Sequence, residues 1–245
     1  MTPEELFHFD LRGYLLFPAV LSAEELAPIK AQALALRQDR DSLPAAHRRL
    51  PGGPASALID HPKVMDVLNT VISRTDKVRC ENCFLAWRER DEGAGQWRPH
   101  AGGRSVNPNY SYQYHDGRVY SGMTRVVWEL NEVPHGRGGT SFIPGSHKAN
   151  FEFPEAVDDP GSGYWETYGC PPGSLFIFTE AMRHTTTPWT HGSPRCALFF
   201  CYNSINVRHH KPDFPEEMLA DLTPERRRFF NEVYHPQFDK PPFAK

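Results

Sequence analysis

The chain has 245 residues, 39% hydrophobic and 23% charged, with a formal net charge of −3. That balance supports a packed core, excludes wholesale disorder, and implies no general attraction to nucleic-acid polymers or membrane surfaces. Its 23 prolines and 18 glycines favour a turn-rich fold over a helical bundle.

The N-terminal segment carries Phe7, Phe9, Gly13 and then Tyr14 to Phe17, which predicts a short helix, a break at Gly13 and a strand. Ser22 with Glu25 three residues later forms a capping box for a helix with an apolar stripe at Leu26, Ile29, Ala33 and Leu34. Residues 38–58 are polar and rich in Arg, Pro and Gly and read as a loop, in which Arg48 and Arg49 are more simply a solvated cluster than contacts for an anionic substrate. Pro62 opens a second helix through Ile72.

From Val78 to Arg88 the period shifts to that of a strand. Within it Cys80-Glu81-Asn82-Cys83 has the spacing of half a zinc site, but no second pair follows. The five scattered cysteines (Cys80, Cys83, Cys170, Cys196, Cys201) predict a reducing compartment rather than a disulfide framework. The N-terminus is acidic and polar, and no apolar run is long enough for a bilayer, so a cytoplasmic protein is expected.

Residues 103–121 form a long Gly-, Asn- and Tyr-rich excursion, expected to serve function or to pack through Tyr110, Tyr112, Tyr114 and Tyr120. Further strands are predicted at Met123–Val133, Thr140–Ile143, Ser174–Thr179 and Arg195–Asn203, and helices near Pro215–Leu222 and Pro224–Val233. Arg226 to Arg228 read as a solvated face, His147 as structural, and His209 and His210 as solvent-facing. The whole, residues 1–245, is one domain: mainly β with helical additions around a double-stranded β-helix, the jelly-roll or cupin-like core.

Three stretches carry chemistry: Arg98-Pro99-His100-Ala101-Gly102-Gly103, the segment Phe178 to Thr187 around His184, and Arg195 at the head of an apolar strand. An arginine in such a strand needs an anionic partner. Together with Gly139 to Lys148 and Pro172 to Phe178, these stretches resemble the phytanoyl-CoA dioxygenase family of Fe(II)/2-oxoglutarate enzymes, from Phe9 to about Asn206. The resemblance implies iron held by His100 and His184. It also implies 2-oxoglutarate held by Arg195, eleven residues after His184, and by Thr186, with Trp128 lining that pocket and Asn82 a weaker match.

The departure is Gly102. The family's His-x-Asp acid falls there, and iron halogenases of this superfamily carry His-x-Ala or His-x-Gly. The resemblance therefore implies a halogenase, with chloride beside Gly102 and a small-molecule substrate; a purine nucleotide is a candidate by analogy alone. Two alternatives stand beside it. One is a hydroxylase whose third ligand is Asp116 or water. The other is a small-molecule-binding protein that has lost turnover. His115 competes with His100 as first ligand, although adjacent His115 and Asp116 point to opposite faces of an extended chain. Arg98, Arg104, Arg125 and Lys148 are basic candidates for contacting an anionic substrate.

Overall fold

A computed structural model describes residues 1–73, 77–92, 97–102, 111–211, 213–231 and 233. Capping boxes start its first two helices. In α1 (Pro3–Arg12) Thr2 and Glu5 satisfy each other's backbone N–H, and Gly13 ends the helix at φ 86°, a left-handed conformation that suits glycine. In α2 (Ala23–Gln38) Ser22 and Glu25 do the same. Between them lies β1 (Tyr14–Phe17). The expected loop of 38–58 contains three short 3-10 turns, at Arg40–Ser42, Ala45–His47 and Gly53–Leu58. Gln32 on α2 ties this segment down, through hydrogen bonds to the carbonyls of His47 and Gly52 and from the N–H of Ala55. α3 (Pro62–Val71) follows.

The strands are β2 (Val78–Arg88), β3 (Gln113–His115), β4 (Arg118–Tyr120), β5 (Thr124–Glu129) and β6 (Gly139–Phe142). A single turn, α4 (Glu155–Asp158), precedes β7 (Ser174–Thr179), β8 (His184–Thr187) and β9 (Arg195–Ser204), and α5 (Glu216–Asp221) and α6 (Pro224–Arg227) come last. Five strands form an antiparallel sheet in the order β1-β7-β5-β9-β2; β6 pairs with β8, and β3 with β4. This is the jelly-roll type expected from the turn-rich sequence: mainly β, with helical additions.

Register decides what each face of the main sheet does. Val126, Phe200 and Ile177 are cross-strand neighbours, as are Trp128, Leu198 and Leu175. Both rows pack against Leu26 and Ile29 of α2 and Val64, Val67 and Leu68 of α3 in the larger core. Each such fully buried side chain contributes about 1.5–3 kcal/mol of hydrophobic stabilisation. The opposite face carries Asn82, Arg125, Cys201 and Phe178 in one row and Phe84, Val127, Phe199 and Phe176 in the next. This second face forms the site.

The five cysteines are free and buried. Among the described residues no helix is long and apolar enough to cross a membrane. Arg226 and Arg227, expected to be merely solvated, pair with Asp60 and Glu216. The backbone N–H groups of His209 and His210 donate to the buried carboxylate of Glu81. Arg104 and Tyr110 lie outside the described residues.

Candidate metal centre

His184 opens β8, and the chain just after Arg98 lies alongside it. His100 and His184 exchange backbone hydrogen bonds of 3.1 Å each way, an isolated antiparallel bridge that sets their rings 4.1 Å apart. Nδ1 of His184 donates to the carbonyl of Met182 at 2.7 Å, and Nδ1 of His100 to that of Arg98 at 3.1 Å. With Nδ1–H committed, each neutral ring keeps its Nε2 lone pair for a metal. Partial desolvation of the His100 ring and the facing His184 ring lower its pKa, which favours the neutral form.

The turn between β7 and β8 adds a third donor. Glu180, His100 and His184 offer ligand atoms that all lie within 4.8 Å of one another. Glu180 is 3% exposed. Its Oε1 is 3.5 Å from His184 Nε2, and its Oε2 accepts from Arg125 Nε at 2.5 Å. Burial alone would raise the carboxyl pKa, but the charge of Arg125 and then His184 pull it well below the usual range, so Glu180 is an anion. Two imidazoles and one carboxylate suit Fe(II). The local sequence supplies this acid because β7 ends at Thr179 and the chain turns back at once. Asn82, on the same row, accepts from Arg125 at 3.1 Å and so supports Glu180 indirectly.

Gly102 sits in a crowded, left-handed turn. Ala101 and Gly102 have φ of +56° and +84°, so the chain is left-handed there. A Cβ on Gly102 would come within 2.7 Å of Arg183 Cβ and 2.8 Å of the Phe153 ring. The direction an acid would take at 102 is therefore filled by protein, and the carboxylate beside the two imidazoles is that of Glu180. The placement is fixed: Gly102 N–H donates to Ala181 at 2.8 Å, and Arg183 donates to the Ala101 carbonyl at 2.9 Å while pairing with Asp158.

Asp116 and His115 are elsewhere. They form the exposed turn of the β3–β4 hairpin and pair with each other at 3.1 Å. Trp128 is also misassigned by the sequence reading. It faces α3, with its ring 5.0 Å from that of His61, on the side of the sheet away from the site.

Arg195 is buried on the site face with its anionic partner in place. Its Nε and Nη2 donate to Glu129, the latter at 2.5 Å, and Nη2 also reaches Thr140 Oγ1 and Tyr168 Oη. Burial opposes the charge, but Glu129 and Tyr168 raise the arginine pKa above its ordinary value. Thr186 pairs directly with Thr140 across β6–β8, so it shares that face. Arg98, His100, Thr185 and Thr186 line a cavity of about 450 Å³.

Glu180 and Glu129 were missed in the sequence. The available signal was Glu180-x-x-x-His184, an acid directly after an apolar strand.

Among solved structures, HygX from Streptomyces hygroscopicus with nickel and 2-oxoglutarate bound superposes with a TM-score of 0.69 at 20% identity, covering 83% of this chain and 87% of that one. The α-ketoglutarate-dependent epimerase SnoN from nogalamycin biosynthesis gives 0.59 at 18% identity, covering 86% of each chain. A non-haem monooxygenase, ThoJ in its nickel complex, gives 0.58 at 15% identity, covering 94% of this chain and 99% of that one. These likenesses establish the fold. No curated protein matches the chain by sequence. The sequence profile described as phytanoyl-CoA dioxygenase matches residues 9–197, and by that match the chain belongs to the phytanoyl-CoA dioxygenase family.

Proposed function

We propose that this protein is an Fe(II)/2-oxoglutarate-dependent oxygenase that hydroxylates an unactivated C–H bond of a small molecule, with His100, Glu180 and His184 holding the metal. The observation that carries this reading is the buried carboxylate of Glu180 within 4.8 Å of both imidazole donors. When bound, iron with a 2-oxo acid and dioxygen supplies the oxidising power.

The chain's own residues do the rest. The carbonyls of Met182 and Arg98 fix the two rings. Glu180 contributes one negative charge toward a dication, and Arg125 keeps its second oxygen occupied. Arg195 and Thr186 are the proposed partners of the oxo acid. Arg195 Nη1 makes no hydrogen bond among the described residues and is the donor open to a carboxylate.

A glycine where the family has an acid favours a second reading: chlorination, with chloride at the metal. It requires Arg125 to keep Glu180 off the iron. A purine nucleotide enters as substrate by analogy only, so AMP belongs in any panel.

The test is turnover by purified protein with Fe(II), 2-oxoglutarate, oxygen and a substrate panel, with and without chloride. Hydroxylated product and succinate, indifferent to halide, are expected. Chlorinated product would replace this reading with the second. Absence of both iron uptake and succinate would leave a binding protein without turnover.

A further inference from the structure

β2 is one edge strand of the main sheet, and five arginines converge on it: Arg37 from the end of α2, Arg40, Arg48 and Arg49 from the segment that follows, and Arg88 at the end of β2 itself. They line a cavity of about 410 Å³, with Glu92 as the acid among the described lining residues. Two of the five are held in place. Arg48 donates to the carbonyls of Leu43 and Asp41 at 2.8 Å each and pairs with Asp41, and Arg49 pairs with Asp213. Arg37, Arg40 and Arg88 meet no carboxylate among the described residues. Like charges gathered in a concavity repel one another unless an anion lies between them. A solvated patch would explain the charge but not the floor.

The floor is aromatic. Phe84 is 45% exposed, and its ring stacks on Phe199 at 5.1 Å and 10°. Trp87 lines the same cavity. Phe84 lies on the site face of β2, two residues beyond Asn82, a rise of about 7 Å along a strand. Asn82 accepts from Arg125, the partner of Glu180. Leu36, Leu50, Cys83, Leu85 and Trp87, which also line the cavity, belong to the larger core on the helix side, so the cavity wraps the β2 edge and Phe84 reaches it from the site face. Guanidinium forks match phosphoryl oxygens in pairs, and an exposed aromatic face takes a planar or apolar body.

We propose that this cavity binds the phosphate of a phosphorylated small molecule whose apolar or aromatic body lies on Phe84. As a statement about the substrate, it rests on the oxygenase reading. The binding site itself can be tested without turnover.

The experiment is calorimetric titration of the full-length protein, with and without Fe(II) under anaerobic conditions, using phenyl phosphate, inorganic phosphate, benzoate and phenol. Phenyl phosphate is expected to bind at least about tenfold more tightly than each of the others, and to weaken as salt rises. Arg37→Gln/Arg88→Gln should lose at least about tenfold, while Arg137→Gln, at an exposed position outside the cavity lining, should lose nothing. Phe84→Ala should bring phenyl phosphate down to the level of inorganic phosphate. Phenyl phosphate no better than phenol or benzoate, unchanged affinity in the double arginine variant, or no binding of any phosphate probe would overturn the proposal. Iron uptake is followed in the same samples. Loss of phosphate binding with iron retained sinks the cavity alone, and loss of iron with phosphate retained sinks the oxygenase reading alone.

Discussion

Glu180 and His184 stand four residues apart across the turn from β7 to β8, and Glu180 Oε1 lies 3.5 Å from His184 Nε2. Removing the acid tests the metal assignment directly. Glu180→Ala should weaken Fe(II) binding by at least about tenfold and abolish turnover. Equilibrium iron titration of both proteins reads this. Unaltered iron affinity, or chlorination surviving in the variant, would remove Glu180 from the coordination set.

Gly102→Asp should not restore a working acid. At φ +84° with Arg183 and Phe153 against its Cβ, the new side chain is strained and crowded. A loss of about 1–3 kcal/mol of stability is expected, with no gain of iron affinity. Urea unfolding beside iron titration checks both. A stable variant with tighter iron would mean that the chain at 102 can open.

The Arg195–Glu129 pair makes a prediction about partners rather than single residues. Arg195→Met should cost about 3–5 kcal/mol, because it removes the partner of the buried Glu129 carboxylate. Adding Glu129→Leu should recover much of that loss, since an apolar pair replaces an ion pair in a dry site. Both variants should lose 2-oxoglutarate binding. A double variant as unstable as the single one would show that the cost came from packing.

Stability should also fall in acid through His147. Burial, opposed by the hydrogen bond to the Asp10 carbonyl and reinforced by Lys148, lowers its pKa to about 4. The ring also packs on Tyr112 at 4.4 Å. Unfolded, it titrates near its ordinary value of about 6.5. Between those values the unfolded chain binds the extra proton, so stability falls as pH drops from about 6.5 to about 4, by roughly 3 kcal/mol. His147→Gln should lose less over that window. Parallel stability curves from denaturant titrations would refute the assignment.

Local patterns reveal the elements well. The Ser22–Glu25 box, the Val78–Arg88 strand and the His184 and Arg195 positions are all legible, because each depends on neighbours in sequence. The face of a strand buried on both sides is not. β5 lacks alternation, so only pairing with β7 and β9 decides that Arg125, Val127 and Glu129 face the site while Trp128 faces the helices. Glu180 was hidden for a related reason. An acid after an apolar strand reads as a solvated turn until Arg125, 55 residues earlier in the chain, is brought beside it.

The three proposed metal donors differ in exposure: Glu180 and His184 are buried, while His100 is exposed and joined to β8 by a short backbone bridge. The interior thus offers a half-built cradle, and the outer lip completes it. Loading and stripping of the ion should be governed by how tightly that lip is sewn on, so a chelator's speed would report on the bridge rather than on the barrel.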